Sequence, residues 1–147
     1  RIGAVVADLW RPLPVRDAAA DALINVFAPR NAPEYHRVLR PGGTLYAVTP
    51  TREHLGPLVG SLGLLSVDEE KEQRIDAAFA GRFLLDARHS LDTEALMSRD
   101  DVAALVGMGP SAHHIAPEEL SKRIAELPKT VPVPVSFVVS VFRRVDT

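Results

Sequence analysis

The sequence predicts an α/β fold, a mostly parallel sheet with helices on both faces. Three observations carry that expectation. Short apolar runs with little alternation recur at residues 2–7, 22–27 and 44–49, the pattern of strands buried on both faces. Helix signals fall between the second and third runs, where Pro33 precedes an apolar stripe at Tyr35, Val38 and Leu39. The 12 prolines and 9 glycines mostly sit between runs, as punctuation and not as low-complexity sequence.

The first run, Ile2–Ala7, is β-branched and small and closes on Asp8, so it reads as a buried strand with a carboxylate at its end. Trp10, Pro12 and Pro14 make residues 9–17 a loop. The second strand, Ala22–Phe27, stops at Ala28-Pro29-Arg30-Asn31. In the helix that follows, Pro33 occupies the first turn, where its missing N–H has no partner to lose. Arg40-Pro41-Gly42-Gly43 supplies a C-terminal cation and a glycine stop. The third strand, Thr44–Thr49, is cut off by Pro50. A strand-helix-strand alternation of this kind belongs to a parallel sheet with right-handed crossovers.

The second half is expected to hold a loose helix over 54–65 and a better one over 68–79, the latter opening on Asp68, Glu69 and Glu70. Residues 83–97 read as an edge or bulged strand. Ser98 is a candidate N-cap, with Asp100 and Asp101 in the first turn of a helix through Val106. Pro117 opens another helix through Leu127, and Val135, Phe137, Val139 and Val141 alternate with serines in a terminal strand. No stretch reads as a linker, so the 147 residues are expected to form one domain or part of one.

Composition removes several function classes. There are no cysteines, which excludes disulfides, a thiolate nucleophile and a Cys-ligated zinc within these residues and fits a reducing cytoplasm. A formal charge of −2 argues against holding RNA by bulk charge, so any nucleic-acid role rests on local clusters or another segment. No apolar run reaches the roughly 18–20 residues of a membrane span. The opening residues 1–6 show neither an initiator Met nor signal-peptide organisation and are expected to lie partway into a domain.

The order strand-Asp, Leu-Pro loop, strand, helix, Arg-Pro-Gly-Gly, strand resembles the middle of class I S-adenosylmethionine-dependent methyltransferases. Val5-Val6-Ala7-Asp8, Leu13-Pro14 with Asp17 and Asp21, and Arg37–Leu45 carry that likeness. Asn25–Asn31, Thr49–Leu55 and Met108–His114 narrow it, because they resemble the 23S ribosomal RNA guanine-N1 methyltransferases. That group includes an actinobacterial enzyme that protects against macrolides such as tylosin. The resemblance implies a partial Rossmann-like sheet, from the third strand onward, with an antiparallel C-terminal strand. It implies S-adenosylmethionine as cofactor and 23S ribosomal RNA as partner. Within the family a Cys-rich zinc module, a Gly-rich turn and a ribose-binding acid come earlier. No Gly-x-Gly opens a helix behind a strand here, so these residues are expected to be the C-terminal portion of a catalytic domain, with little activity alone.

The candidate residues follow. Asp8, with Leu9, stands where the family's adenine-binding acid falls, at the carboxyl end of a strand where open α/β sheets place ligands; the plain alternative is an aspartate capping a turn. Asn25 and Val26 end the next strand, where the family holds cofactor and acceptor, and Asn25 is either a base-orienting amide or a satisfied polar residue near the core. His54 matches the family pattern Pro-x-x-x-His-Leu and takes a cofactor-side role by resemblance. Trp10, Phe27, Pro29, Arg30, His113 and His114 are candidate substrate-side residues, with Trp10 either a stacking platform for an extruded base or a hydrophobic lid. His113 and His114 lack a third ligand and are not read as a metal pair; His36 and His89 are read as surface residues. No residue stands out as a general base.

The expected function is methyl transfer to guanine N1 of 23S ribosomal RNA. Its rivals are a small-molecule methyltransferase of the same fold and a non-catalytic interaction module. Exposed sheet edges further predict a homo-oligomer, since an unpaired edge is a template for another chain.

Overall fold

A strand, a short helix and a second strand parallel to the first begin the regular structure in a computed structural model, which describes residues 3–64, 71–109 and 114–146. The elements are β1 (Ala20–Val26), α1 (Ala32–Val38), β2 (Leu39–Pro50), α2 (Gly56–Leu62), α3 (Lys71–Phe79), β3 (Phe83–Ser98), α4 (Arg99–Met108), α5 (Pro117–Glu126) and β4 (Thr130–Arg144). Asp68, Glu69 and Glu70, expected at a helix start, lie outside the described residues.

The strands form one mixed sheet in the order β1-β2-β4-β3. β1 and β2 pair in parallel, with Leu23 opposite Leu45 and Asn25 opposite Ala47. β4 runs the other way: Arg144 at its end bonds the Leu39 carbonyl at the start of β2, while the Thr51 N–H just past β2 donates to the Ser136 carbonyl. It is antiparallel to β3 by the same logic, since the Val145 N–H meets the Arg82 carbonyl and Arg88 reaches Ser140.

Two compact units make up the chain. One draws on residues 1–49, 70–90 and 138–147, the other on 50–69 and 91–137. The core of the first gathers Tyr35, Leu39, Leu45, Ile75, Phe79, Phe83 and Phe142. Phe79 is its hub, with ring centroids 5.0 Å from Phe142 and 5.5 Å from Phe83, separations at which tilted and edge-on aromatic pairs attract. The second unit packs Leu58, Leu62, Val102, Val106, Ile124, Leu127, Val131 and Val133. Its α4 starts at a capping box, in which the Ser98 hydroxyl and the Asp101 carboxylate each take the other's backbone N–H, at 3.2 and 2.9 Å.

Four expectations are corrected. The Ile2–Ala7 run is not a strand: residues 3–8 lie outside the sheet, with Val6 fully exposed. A β-branched run becomes a strand only where another strand completes its ladder, and among the described residues none pairs with it. Arg40-Pro41-Gly42-Gly43 does not end the helix. Pro41 disfavours helical backbone in the residue before it, so α1 stops at Val38 and the four residues enter β2 as an irregularity. Ala20 pairs with Leu39 but Ala22 with Thr44, and Gly42 takes up the detour at φ +70. In β4 the alternation has a changed phase: Val131 and Val133 are buried, then Ser136, Val138, Ser140 and Phe142, leaving Val135, Phe137, Val139 and Val141 half-buried. The buried serines are tolerated because both are hydrogen-bonded, Ser136 to Asp92 and Ser140 to Arg88. His36 is half-buried, its Nε2 2.8 Å from the Val145 carbonyl and its ring edge-on to Phe83.

Candidate functional site

The loop before β1 is bound to α1 by a polar network that sequence patterning does not announce. Asn31 caps α1: its carbonyl accepts the Glu34 N–H and its amide donates to the Leu9 carbonyl at 2.7 Å. Glu34 is buried and accepts the Leu13 N–H at 2.5 Å. Arg37 donates to both Glu34 oxygens, to Asp17 and to the Leu13 carbonyl. The Arg37 guanidinium beside Glu34 holds that carboxyl below its usual range, although burial opposes the shift, and Arg37 is in turn held more firmly protonated. This network fastens residues 8–17 alongside the turn that follows β1.

That turn is tied from within. Phe27 takes left-handed backbone at φ +50, uncommon for a side chain of its size, while its N–H donates to the Val48 carbonyl at 3.1 Å. Asn25 is buried and its Nδ2 donates to the Pro29 carbonyl at 2.9 Å and to the Tyr35 hydroxyl at 2.8 Å. The Tyr35 hydroxyl donates to the same Pro29 carbonyl at 2.6 Å. A proline carbonyl can only accept, so the amide's orientation is fixed by chemistry and Oδ1 is its uncommitted acceptor.

Asn25 and Tyr35 line a cavity of about 400 Å³ whose other walls are Leu9, Leu13, Leu23, Ile24, Val26 and Ala28. Across Ala28 lies a second cavity, of about 470 Å³, between Trp10, Pro29, Arg30 and Ala78. An apolar cavity with two polar side chains, Asn25 and Tyr35, among its walls is a small-molecule or base site in form. Asp8, which lines neither cavity, precedes Leu9 in the chain and is exposed: Oδ1 accepts the Trp10 N–H at 2.9 Å and Oδ2 is 3.5 Å from Arg11 Nε. The carboxylate therefore caps its own turn, with its charge partly balanced by Arg11.

Of the residues singled out from sequence, Leu9, Trp10, Asn25, Val26, Pro29 and Arg30 line these adjoining cavities, with Asp8 and Phe27 on the same two turns. His54 and His114 belong to the second unit, where His114 is exposed, and His113 lies outside the described residues. The Ser136 N–H donates to His54 Nδ1 at 3.2 Å, so the ring proton is on Nε2. Around it the Thr51 hydroxyl lies 2.6 Å from Ser136 Oγ, which donates to Asp92 at 2.5 Å and so must accept from Thr51. Sequence reasoning missed Glu34, Tyr35, Arg37 and Ser136 as supports. The spacing Asn31-x-x-Glu34 ahead of an apolar stripe was the available signal for the first.

The comparisons with known proteins fit this geometry. A solved structure of a candidate methyltransferase from Bacillus halodurans superposes with a TM-score of 0.53, over 89% of this chain and 72% of that one, at 12% identity. The fold is that of the class I methyltransferases. In sequence the chain is 47% identical over 143 residues to the 23S rRNA (guanine(748)-N(1))-methyltransferase of Streptomyces fradiae, covering 97% of this chain and 51% of that protein. It is also 47% identical over 133 residues to a candidate 23S rRNA guanine-N1 methyltransferase of Micromonospora griseorubida, covering 90% of this chain and 45% of that protein. The chain thus spans about half the length of the curated relatives it matches. No family model matches it. No described helix is long and apolar enough to cross a membrane.

Proposed function

We propose that this chain serves methyl transfer from S-adenosylmethionine to guanine N1 of 23S ribosomal RNA, as the acceptor-side part of a cytoplasmic enzyme. The observation that carries the reading is the 47% identity along 97% of the chain to a protein named for that reaction. The Asn25 cavity supports it chemically. Guanine presents a 2-amino group beside N1, and Asn25 Oδ1 is an acceptor for that amine that leaves N1 open to the methyl group.

When bound, the cofactor supplies a methyl group on a sulfonium, ready for in-line displacement. Much of the catalysis is then alignment, and the bonds of Asn25 to the Pro29 carbonyl and the Tyr35 hydroxyl keep the base-orienting amide from rotating. Asp8 and Leu9 take the adenine side and Val26 lines the same cavity as Leu9, while His54 has a cofactor-side role by resemblance alone. Trp10, Phe27, Pro29 and Arg30 take the RNA side, and His113 and His114 have a substrate-side role by resemblance alone. The residues present fit a nucleoside, but no Gly-rich turn opens a helix behind a strand, so the chain by itself holds the cofactor weakly. Calorimetric titration with S-adenosylhomocysteine checks this: micromolar binding by this chain overturns the half-site reading. The open edge of β1, with Ile24 and Val26 exposed beside it, further favours self-association by edge pairing.

Primer extension on 23S ribosomal RNA tests the reaction. A strain lacking the gene loses a reverse-transcriptase stop at one guanine if the reading holds. Unchanged stops at every guanine refute it and leave a small-molecule acceptor as the surviving enzymatic alternative.

A further inference from the structure

Two cavities meet at Ala28, and the proposal above places a ligand group in only the first. The second differs in chemistry. Its walls are Trp10, Ala28, Pro29, Arg30 and Ala78, an indole and a guanidinium over a small, stiff floor. Trp10 is 68% exposed, a large apolar surface left in water. Its turn is nevertheless held, by the Trp10 N–H on Asp8 and by the Asn31 amide on the Leu9 carbonyl. Arg11, Arg37 and Arg40 are each paired with an aspartate or glutamate. Arg30 has no ion-pair partner among the described residues, though its side chain is half-buried against the groove.

We infer that the Trp10–Arg30 groove is a subsite for the single-stranded nucleotide next to the target guanine, its base stacked on the indole and its phosphate on the guanidinium. The inference rests on the RNA reading and adds to it a second nucleotide with its own contacts. Every base has a π-face, so stacking on Trp10 tolerates sequence, and an unpaired guanidinium matches a phosphodiester in charge and geometry. Because the two cavities share Ala28, neighbouring nucleotides of an unstacked strand reach both without doubling back. Recognition of RNA through splayed, stacked bases is what a chain of net charge −2 requires, because it lacks a bulk basic surface.

Trp10 is the sole tryptophan, so it reports on itself. The experiment titrates this chain with a fluorescein-labelled single-stranded oligoribonucleotide of eight residues containing one guanine. Anisotropy reads binding, and indole emission with the unlabelled strand reads stacking. The expected result is quenching of Trp10 that follows the binding curve. Trp10→Ala weakens binding roughly 5- to 100-fold. Arg30→Ala lowers the slope of log affinity against log salt by about 0.7, and Arg30→Lys restores it. Both side chains are at the surface, and circular dichroism verifies that the variants fold. Binding with unchanged emission and no effect of Arg30→Ala overturns the subsite, as does absence of binding at millimolar strand. Quenching that persists while primer extension shows no lost stop keeps the groove and removes the methylation reading, so the two failures are distinguishable.

Discussion

Replacing Glu34 by Gln tests the support of the site most sharply, because the change keeps shape and removes charge. Glu34 is 8% exposed and does three things at once: it accepts the Leu13 N–H and bonds Arg37 through both oxygens. Glutamine retains one carbonyl for Leu13 but turns an NH₂ donor toward a guanidinium that offers no acceptor. A hydrogen bond to a charged partner contributes about 1.5–3 kcal/mol. Arg37 is partly solvated and also keeps Asp17, so the expected loss is about 2 kcal/mol, below the 3–5 of a fully buried broken pair. With a urea slope of about 2 kcal/mol/M, the unfolding midpoint falls by about 1 M. The sign with pH is also fixed. The carboxyl is held below its ordinary value in the folded chain, so its contribution is complete above the unfolded titration near pH 4.3 and disappears as pH falls through the lower folded value. The gap between native and variant midpoints is therefore constant above about pH 5 and closes on acidification. Hydrogen exchange at the Leu13 amide reads the same event locally, and it speeds up in the variant. An unchanged midpoint with undiminished Leu13 protection refutes the idea that this network fastens the 8–17 loop.

Two further substitutions separate parts of the account. Tyr35→Phe removes the hydroxyl that takes an Asn25 N–H and donates to Pro29, leaving buried groups short of partners; it costs about 1–2 kcal/mol in thermal or chemical unfolding and sharpens solvent exchange of the Asn25 side-chain amide. Ser98→Ala dismantles the capping box of α4 at about 1 kcal/mol and lets the Asp101 carboxyl, now held low by its bonds to Ser98, return toward its ordinary value in an NMR titration.

Much of the fold was legible because periodicity and punctuation act locally. Pro33, Pro117 and Ser98 each open a helix where their chemistry requires, and the apolar run ahead of Pro29 is a strand. The failures lie where structure depends on what stands alongside. Residues 2–7 have the composition of a strand but no described neighbour to complete a ladder. Arg40–Gly43 has the residues of a helix stop, yet its pairing with β1 turns them into an irregular strand start. In the site, Asn25, Pro29 and Trp10 were readable from the turn residues and the resemblance. Arg37 and Tyr35 were not, because each acts through partners between three and 24 residues away that no local pattern reveals, and the Asn31-x-x-Glu34 spacing signals a helix start but not the bond to Leu13. The tautomer of His54 is likewise set by a backbone N–H 82 positions on.

The central claim is that the Asn25 cavity accepts the donor edge of a guanine. A ¹⁵N-labelled sample titrated with guanosine 5′-monophosphate, followed by heteronuclear NMR, tests it directly. Saturable shifts at the Asn25 side-chain amide and at the Leu9 and Ala28 backbone amides, much weaker with inosine 5′-monophosphate, which lacks the 2-amino group, are the result expected. Shifts confined to residues of the second unit, or an Asn25 amide that never moves, contradict it.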